Sequence, residues 1–162
     1  MQEGKRSDLK ALGAMYRQVR QHSLQMVQCL EGDAEFYDQS APEVSPPAWN
    51  LGHTSWFFDA IVLGRYARSI GHGDTKLWYH FNSYYKGAGK HVRQACRGAV
   101  MIGEIPVDDI LNYRNDVDTL MERLFDSEPG EGFDSLVELG IHHEPVSYTH
   151  LRAHETASYL VC

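Results

Sequence analysis

Apolar residues in this chain recur three and four positions apart, and no segment alternates polar and apolar side chains as a half-buried strand does. That spacing restricts the chain to helices that bury one face against each other. Residues 6–31 carry Leu9, Leu12, Met15, Tyr16, Val19, Met26, Val27 and Leu30, with arginine and glutamine between them. They predict a first helix closed by Gly32 and Asp33. After the loop "EFYDQSAPEV", Ser45 offers an N-cap and Pro46 suits a first helical turn, so a second helix is expected from Pro46 to about Ala67. It is apolar on more than one face and should be the most buried. Ile110, Tyr113, Val117, Leu120, Met121 and Leu124 predict a third helix from about Val107 to about Asp126. After the polar turn "SEPGEG" a fourth opens near Asp134, with Leu136, Val137, Gly140 and Ile141 on one face, and reaches His142, His143 and Glu144. The expected fold class is all-α: a four-helix bundle with a long crossover between helices 2 and 3 and a truncated fourth helix. The crossover, residues 68–106, is rich in glycine, yet its aromatic cluster "LWYHFNSYY" argues for order.

With 162 residues, 43% hydrophobic and 23% charged, the chain suits one globular domain. A net charge of −7 argues against a nucleic-acid partner, which needs a basic face. No apolar run is long enough to span a membrane, and "MQEGKRSDLK" has no signal-peptide core. Cys29, Cys96 and Cys162 are widely spaced and odd in number, which fits a reducing cytoplasm better than a disulfide framework.

The end of the chain reads differently. Pro145 directly follows Glu144, disfavours helical geometry there and removes a backbone donor. The helix is therefore expected to lose support just as its histidines appear. The following string "VSYTHLRAHET" resembles an in-frame translation of a transposase-library sequencing adapter. On that reading residues 1–145 form the helical domain and residues 146–162 are a non-native tail, with Pro145 as the junction codon. His143, His150 and His154 would then imitate a metal-binding stripe by accident of adapter codons.

The chemistry-bearing stretch is "SPPAWNLGHTSWFFDA", where His53 sits among Trp49, Leu51, Trp56, Phe57 and Phe58. A histidine there can be an ordinary core residue, satisfied by a hydroxyl or a carbonyl. It can also be a metal ligand, since neutral imidazole binds metals and an apolar surround limits water. Asn50 or Thr54 could orient its ring. His143-Glu144 opens a pattern that would put two histidines on one helical face, but the residue four positions on is Ser147. Spacing alone therefore leaves a broken motif. Histidine ligation by itself suits zinc, iron, copper and nickel alike. The aromatic neighbours Trp49, Trp56, Phe57 and Phe58 are assigned to the core. Asp108, Asp109, Asp116 and Asp118 are read as a solvated helix face, the first two favoured by the helix start.

Four segments in order, "SPPAWNLGHTSWFFDAIVLGRY", "FNSYYKGAGKHVRQACRG", "YRNDVDTLMERL" and "ELGIHHE", resemble the N-terminal DinB-like domain of the ergothioneine-type and ovothiol-type sulfoxide synthases. The resemblance covers residues 6–144. It implies a DinB-like four-helix bundle and a mononuclear non-haem Fe(II) site held by three histidines. His53 matches the ligand in the LGHTxWFF motif, and His143 matches the first histidine of an HExxH-like motif. The second would fall at Ser147, so the third ligand is missing here. The family uses O₂ to join a cysteine-containing thiol to hercynine as a sulfoxide. Its thiol carries carboxylates, and Arg93 and Arg97 match the arginines that help bind them, although "KHVRQACRG" departs from the commoner spacing. A solvated basic loop accounts for these two residues equally well. Tyr84 and Tyr85 would line the cavity or pack the crossover. The family's C-terminal domain, which supplies the other wall of the site and its catalytic tyrosine, has no counterpart here, so this chain alone is expected to be inactive. A stand-alone DinB-like metal-dependent thiol transferase and a non-catalytic helical binding module are the alternatives.

Overall fold

The computed structural model describes residues 2–67, 75–83 and 92–158. Tyr84 and Tyr85 lie outside the described residues, as do the side chains of His150 and His154. Four long helices make the framework: α1 (Gln2–Met26), α3 (Pro47–Phe57), α6 (Val107–Phe125) and α7 (Phe133–Ser158). Short helices join them: α2 (Asp33–Tyr37), α4 (Thr75–Phe81) and α5 (Arg97–Met101). No strand occurs among the described residues, and no described helix is long and apolar enough to cross a membrane. The helical bundle expected from the apolar spacing is what the chain forms.

The helix starts follow local chemistry. Pro46 is the N-cap of α3 and Pro47 its first residue, where a missing N–H costs nothing. Ser45 is not the cap. Its carbonyl accepts from Asn50 Nδ2 at 3.1 Å, and its hydroxyl accepts from Arg97 at 2.6 Å. All eleven residues of α3 are buried, because α6, α4 and α7 cover it on different sides. The helix then widens into a π-helical segment, Phe58–Leu63, and ends in the turn Gly64–Tyr66. Within the π segment Asp59 is fully buried and accepts from the Tyr113 hydroxyl of α6 at 2.8 Å.

Several expectations are corrected. The first helix runs from Gln2 to Met26 rather than over residues 6–31, and Met15 is half exposed on its outer face. The loop after it contains α2, and the crossover contains α4 and α5. The last helix does not weaken at Pro145 but continues to Ser158. A mid-helix proline costs a ladder hydrogen bond and crowds the preceding residue. Here that preceding residue, Glu144, is fixed by three buried partners described below.

Two glycines let the layers close up. A Cβ at Gly52 would lie 2.2 Å from the nearest atom of the Phe81 ring of α4, and one at Gly140 would lie 2.4 Å from the nearest atom of the Phe58 ring, both far inside contact distance. Each lies one turn or less from a candidate ligand: Gly52 precedes His53, and Gly140 sits three residues before His143.

Candidate metal centre

His53 comes from the middle of α3 and His143 from the second half of the described side chains of α7. Their ring centroids lie 5.0 Å apart with 67° between the planes. His53 is buried (4% exposed), while His143 is partly exposed at the edge of the bundle.

Aromatic rings fix both imidazoles. Trp49, one turn before His53, stacks on it at 4.3 Å and 18°, and Trp56 lies parallel at 6.0 Å. Phe57 stacks on His143 at 4.8 Å and 21°. The four aromatic residues assigned to the core are indeed buried, and three of them also form the walls around the imidazole pair.

The second contact to His53 comes from the end of α4. A helix leaves its last carbonyls without internal partners. The Phe81 carbonyl lies 2.7 Å from His53 Nδ1, and the His80 carbonyl accepts from Trp49 Nε1 at 2.6 Å. A carbonyl only accepts, so Nδ1 carries the proton and Nε2 keeps its lone pair. This is the arrangement by which protein backbones orient histidine ligands. Asn50 and Thr54 do not perform it: Asn50 bonds Ser45, and Thr54 bonds Leu51 and accepts from Arg114. His80 itself is buried, with Nε2 3.0 Å from the Glu104 carboxylate.

Burial pushes the His53 imidazole down to about 3, helped by the adjacent His143 and by Arg97 and opposed by the Phe81 carbonyl. Burial also lowers His143, against the pull of Glu144. Both rings therefore stay neutral near pH 7, the form that binds metals. His143 Nδ1 is buried with no hydrogen-bond partner among the described residues, which leaves it free to donate a lone pair. The donor set thus fits a metal in part. Two imidazoles converge, but no group of three His, Cys, Asp or Glu is gathered among the described residues. Ser147 stands one turn beyond His143, and its hydroxyl donates to the His143 carbonyl at 3.3 Å.

The arginines part company. Arg93 is exposed, just before a 3₁₀ turn (Gln94–Cys96). Arg97 is buried: its guanidinium carbon sits 3.4 Å from the centre of the Trp49 ring and one nitrogen donates to Ser45. Arg97 therefore touches the indole that touches His53.

Glu144, the acidic member of the His-Glu pair, turns to Arg20, Ser23 and Arg114 and not to the imidazoles. It is fully buried. One oxygen accepts from Arg114 at 2.6 Å and from Ser23 at 2.6 Å, and the other from Arg20 at 3.3 Å. Burial works to raise this carboxyl, but the two guanidiniums and the hydrogen bonds outweigh it and hold it below the usual carboxylate range. Arg20 also donates to Asp118 at 2.7 Å and to Ser55 at 3.0 Å, and the Tyr16 hydroxyl donates to Asp118. Asp118 is thus half-buried in an ion cluster, whereas Asp108, Asp109 and Asp116 are exposed. This hub joins all four long helices. Nothing in the sequence marks it, because arginines on amphipathic helices usually face water.

No curated protein matches the chain. A family model for the DinB superfamily, a group whose domains are typically metal-binding, matches residues 15–154. With an all-helical framework and two histidines converging from α3 and α7, the chain belongs to the DinB superfamily.

Proposed function

We propose that this chain is the metal-binding helical domain of a non-haem iron sulfoxide synthase of the ergothioneine type. The observation that supports the reading is the pair His53–His143, 5.0 Å apart inside an aromatic wall, with the His53 Nε2 lone pair freed by the Phe81 carbonyl. His53 and His143 would hold Fe(II), which in such enzymes supplies O₂ activation. The aromatic wall would keep water from the ligands, since a hydrophobic shell governs solvent access to a metal. Arg93, on the exposed side, is the better placed of the two arginines to meet a carboxylate from solution. Thiol and hercynine are the proposed small-molecule partners, and the rest of the cavity would come from a further domain.

Two imidazoles make a weak site, so titration with Co(II) or Fe(II) should show no tight stoichiometric binding. The weak binding that remains should vanish in His53→Ala and in His143→Ala. Binding untouched by either substitution would overturn the proposal. Hercynine, a cysteine-containing thiol and O₂ should yield no sulfoxide with this chain alone. The superfamily match favours a second reading equally, a metal-dependent thiol transferase. Thiol transfer without O₂ consumption would select it.

A further inference from the structure

His143 and Glu144 are neighbours on α7, and successive helical residues point about 100° apart. His143 turns towards α3, where it stacks on Phe57 and meets His53. Glu144 turns into α1 and α6, where Ser23, Arg20 and Arg114 occupy both its oxygens. In metal sites built on a His-Glu dipeptide the carboxylate serves as a base for bound water. This carboxylate is fully buried and would have to abandon three partners to do so.

Its place on the helix gives it another task. The buried stripe of α7 runs Val137, Gly140, Ile141, Glu144. Gly140 has no side chain to key the helix against Phe58. Leu139, His142, Pro145 and Val146 are exposed. Glu144 is thus the last buried residue of the described part of the stripe, and it adjoins the candidate ligand. A rotation of α7 by roughly 20° would move a group roughly 6 Å from its axis by roughly 2 Å. Ligand positions are sensitive to errors well below that.

We propose that Glu144 is a positioning residue: tied to Arg20, Arg114 and Ser23, it sets the rotation of α7 about its axis and so aims His143 at His53. The proposal rests on the reading of these two histidines as donors. Its test uses a signal recorded without metal, so the two can fail separately.

The experiment compares the histidine ring signals of the intact chain with those of Glu144→Ala and Glu144→Gln by NMR, at a temperature where circular dichroism shows each to be folded. The Phe57 ring, stacked on His143, displaces that imidazole's proton signals. In Glu144→Ala the His143 signals should move by several tenths of a ppm towards free histidine. The His53 signals, held by Trp49 and the Phe81 carbonyl, should stay. Glu144→Gln, which keeps the shape and part of the hydrogen bonding, should give a smaller displacement in the same direction. Should Glu144→Ala not fold, Glu144→Gln is read in its place. A folded variant with reduced stability but unmoved His143 signals would show that the ion cluster only stabilises the bundle, and would overturn the proposal. If the signals move as expected while the intact chain binds no Co(II), the positioning role stands and the donor assignment falls.

Discussion

His53 Nδ1 lies 2.7 Å from the Phe81 carbonyl, so the last turn of α4 chooses the tautomer of an imidazole on α3 and leaves Nε2 as the nitrogen with the lone pair. One turn beyond His143, the position that could complete a three-nitrogen set holds Ser147, a weak donor. Ser147→His should therefore tighten Co(II) binding by more than about tenfold, or about 1.4 kcal/mol. The visible absorption bands of bound Co(II) report the affinity and the coordination number together. An affinity equal to that of the intact chain would show that α7 does not carry both ligands on one face.

The buried imidazole also links stability to pH. In the unfolded chain His53 titrates at its ordinary value near 6.5, and in the fold it is held at about 3. Below 6.5 the unfolded state binds the extra proton, so stability is fully present above that pH and is lost as pH falls towards 3. The loss is at most about 1.4 kcal/mol per pH unit, or about 2 kcal/mol between pH 6.5 and 5. His143, lowered by burial, adds in the same direction. The urea midpoint should fall over this range, and His53→Phe should flatten the dependence. A midpoint as steep in the variant as in the parent would mean that other groups carry it.

Gly52 and Gly140 are where helix packing and ligand placement meet. Gly52→Ala drives a methyl into the Phe81 ring, and Gly140→Ala drives one into Phe58 with the Phe57 ring at 3.0 Å. Each should cost about 1–3 kcal/mol by overpacking. Gly4→Ala, on an exposed turn of α1 with open space around it, should instead be neutral or stabilise by up to about 1 kcal/mol. Denaturant unfolding of the three variants checks the ranking. Gly52→Ala should also shift the His53 ring signals, because displacing Phe81 withdraws the carbonyl that holds Nδ1.

Periodicity made α1 and α6 legible to within about five residues, because each runs for several turns with an apolar stripe, whereas α3 was marked by being apolar on more than one face and its passage into a π segment at Phe58 was not legible. It could not show α2, α4 and α5, which are too short to repeat a stripe. Of the site, His53 stood out through its aromatic neighbours, and His143 only through its family resemblance. The group that orients His53 was invisible, since it is a backbone carbonyl 28 residues away and any residue type can supply one. Asp118 looked like its exposed neighbour Asp116. What distinguishes them is the arginine that α1 brings across, a tertiary fact with no local signature.

That arginine gives the sharpest internal contrast in the molecule. Arg17 and Arg20 lie three apart on α1, and each pairs with a carboxylate of α6. Arg17 meets Glu122 at 2.8 Å with both side chains substantially exposed (54% and 40%). Arg20, 3% exposed, bridges Asp118 and Glu144 and lies against the rings of Tyr16 and Phe58. Exposed pairs contribute between nothing and about 1 kcal/mol, because water screens them and two long side chains must be ordered. Removing one partner of a buried pair strands the other, at a cost of about 3–5 kcal/mol. Arg17→Met should therefore leave the unfolding free energy within about 1 kcal/mol of the parent, while Arg20→Met should lower it by about 3 kcal/mol or more. Replacing Arg20 and Glu144 together, by Met and Leu, should recover none of that loss, because it strands the buried Arg114 guanidinium, which pairs with Glu144 at 2.6 Å. Equal effects of Arg17→Met and Arg20→Met would show that water reaches the hub and that its charges are not what ties the four helices together.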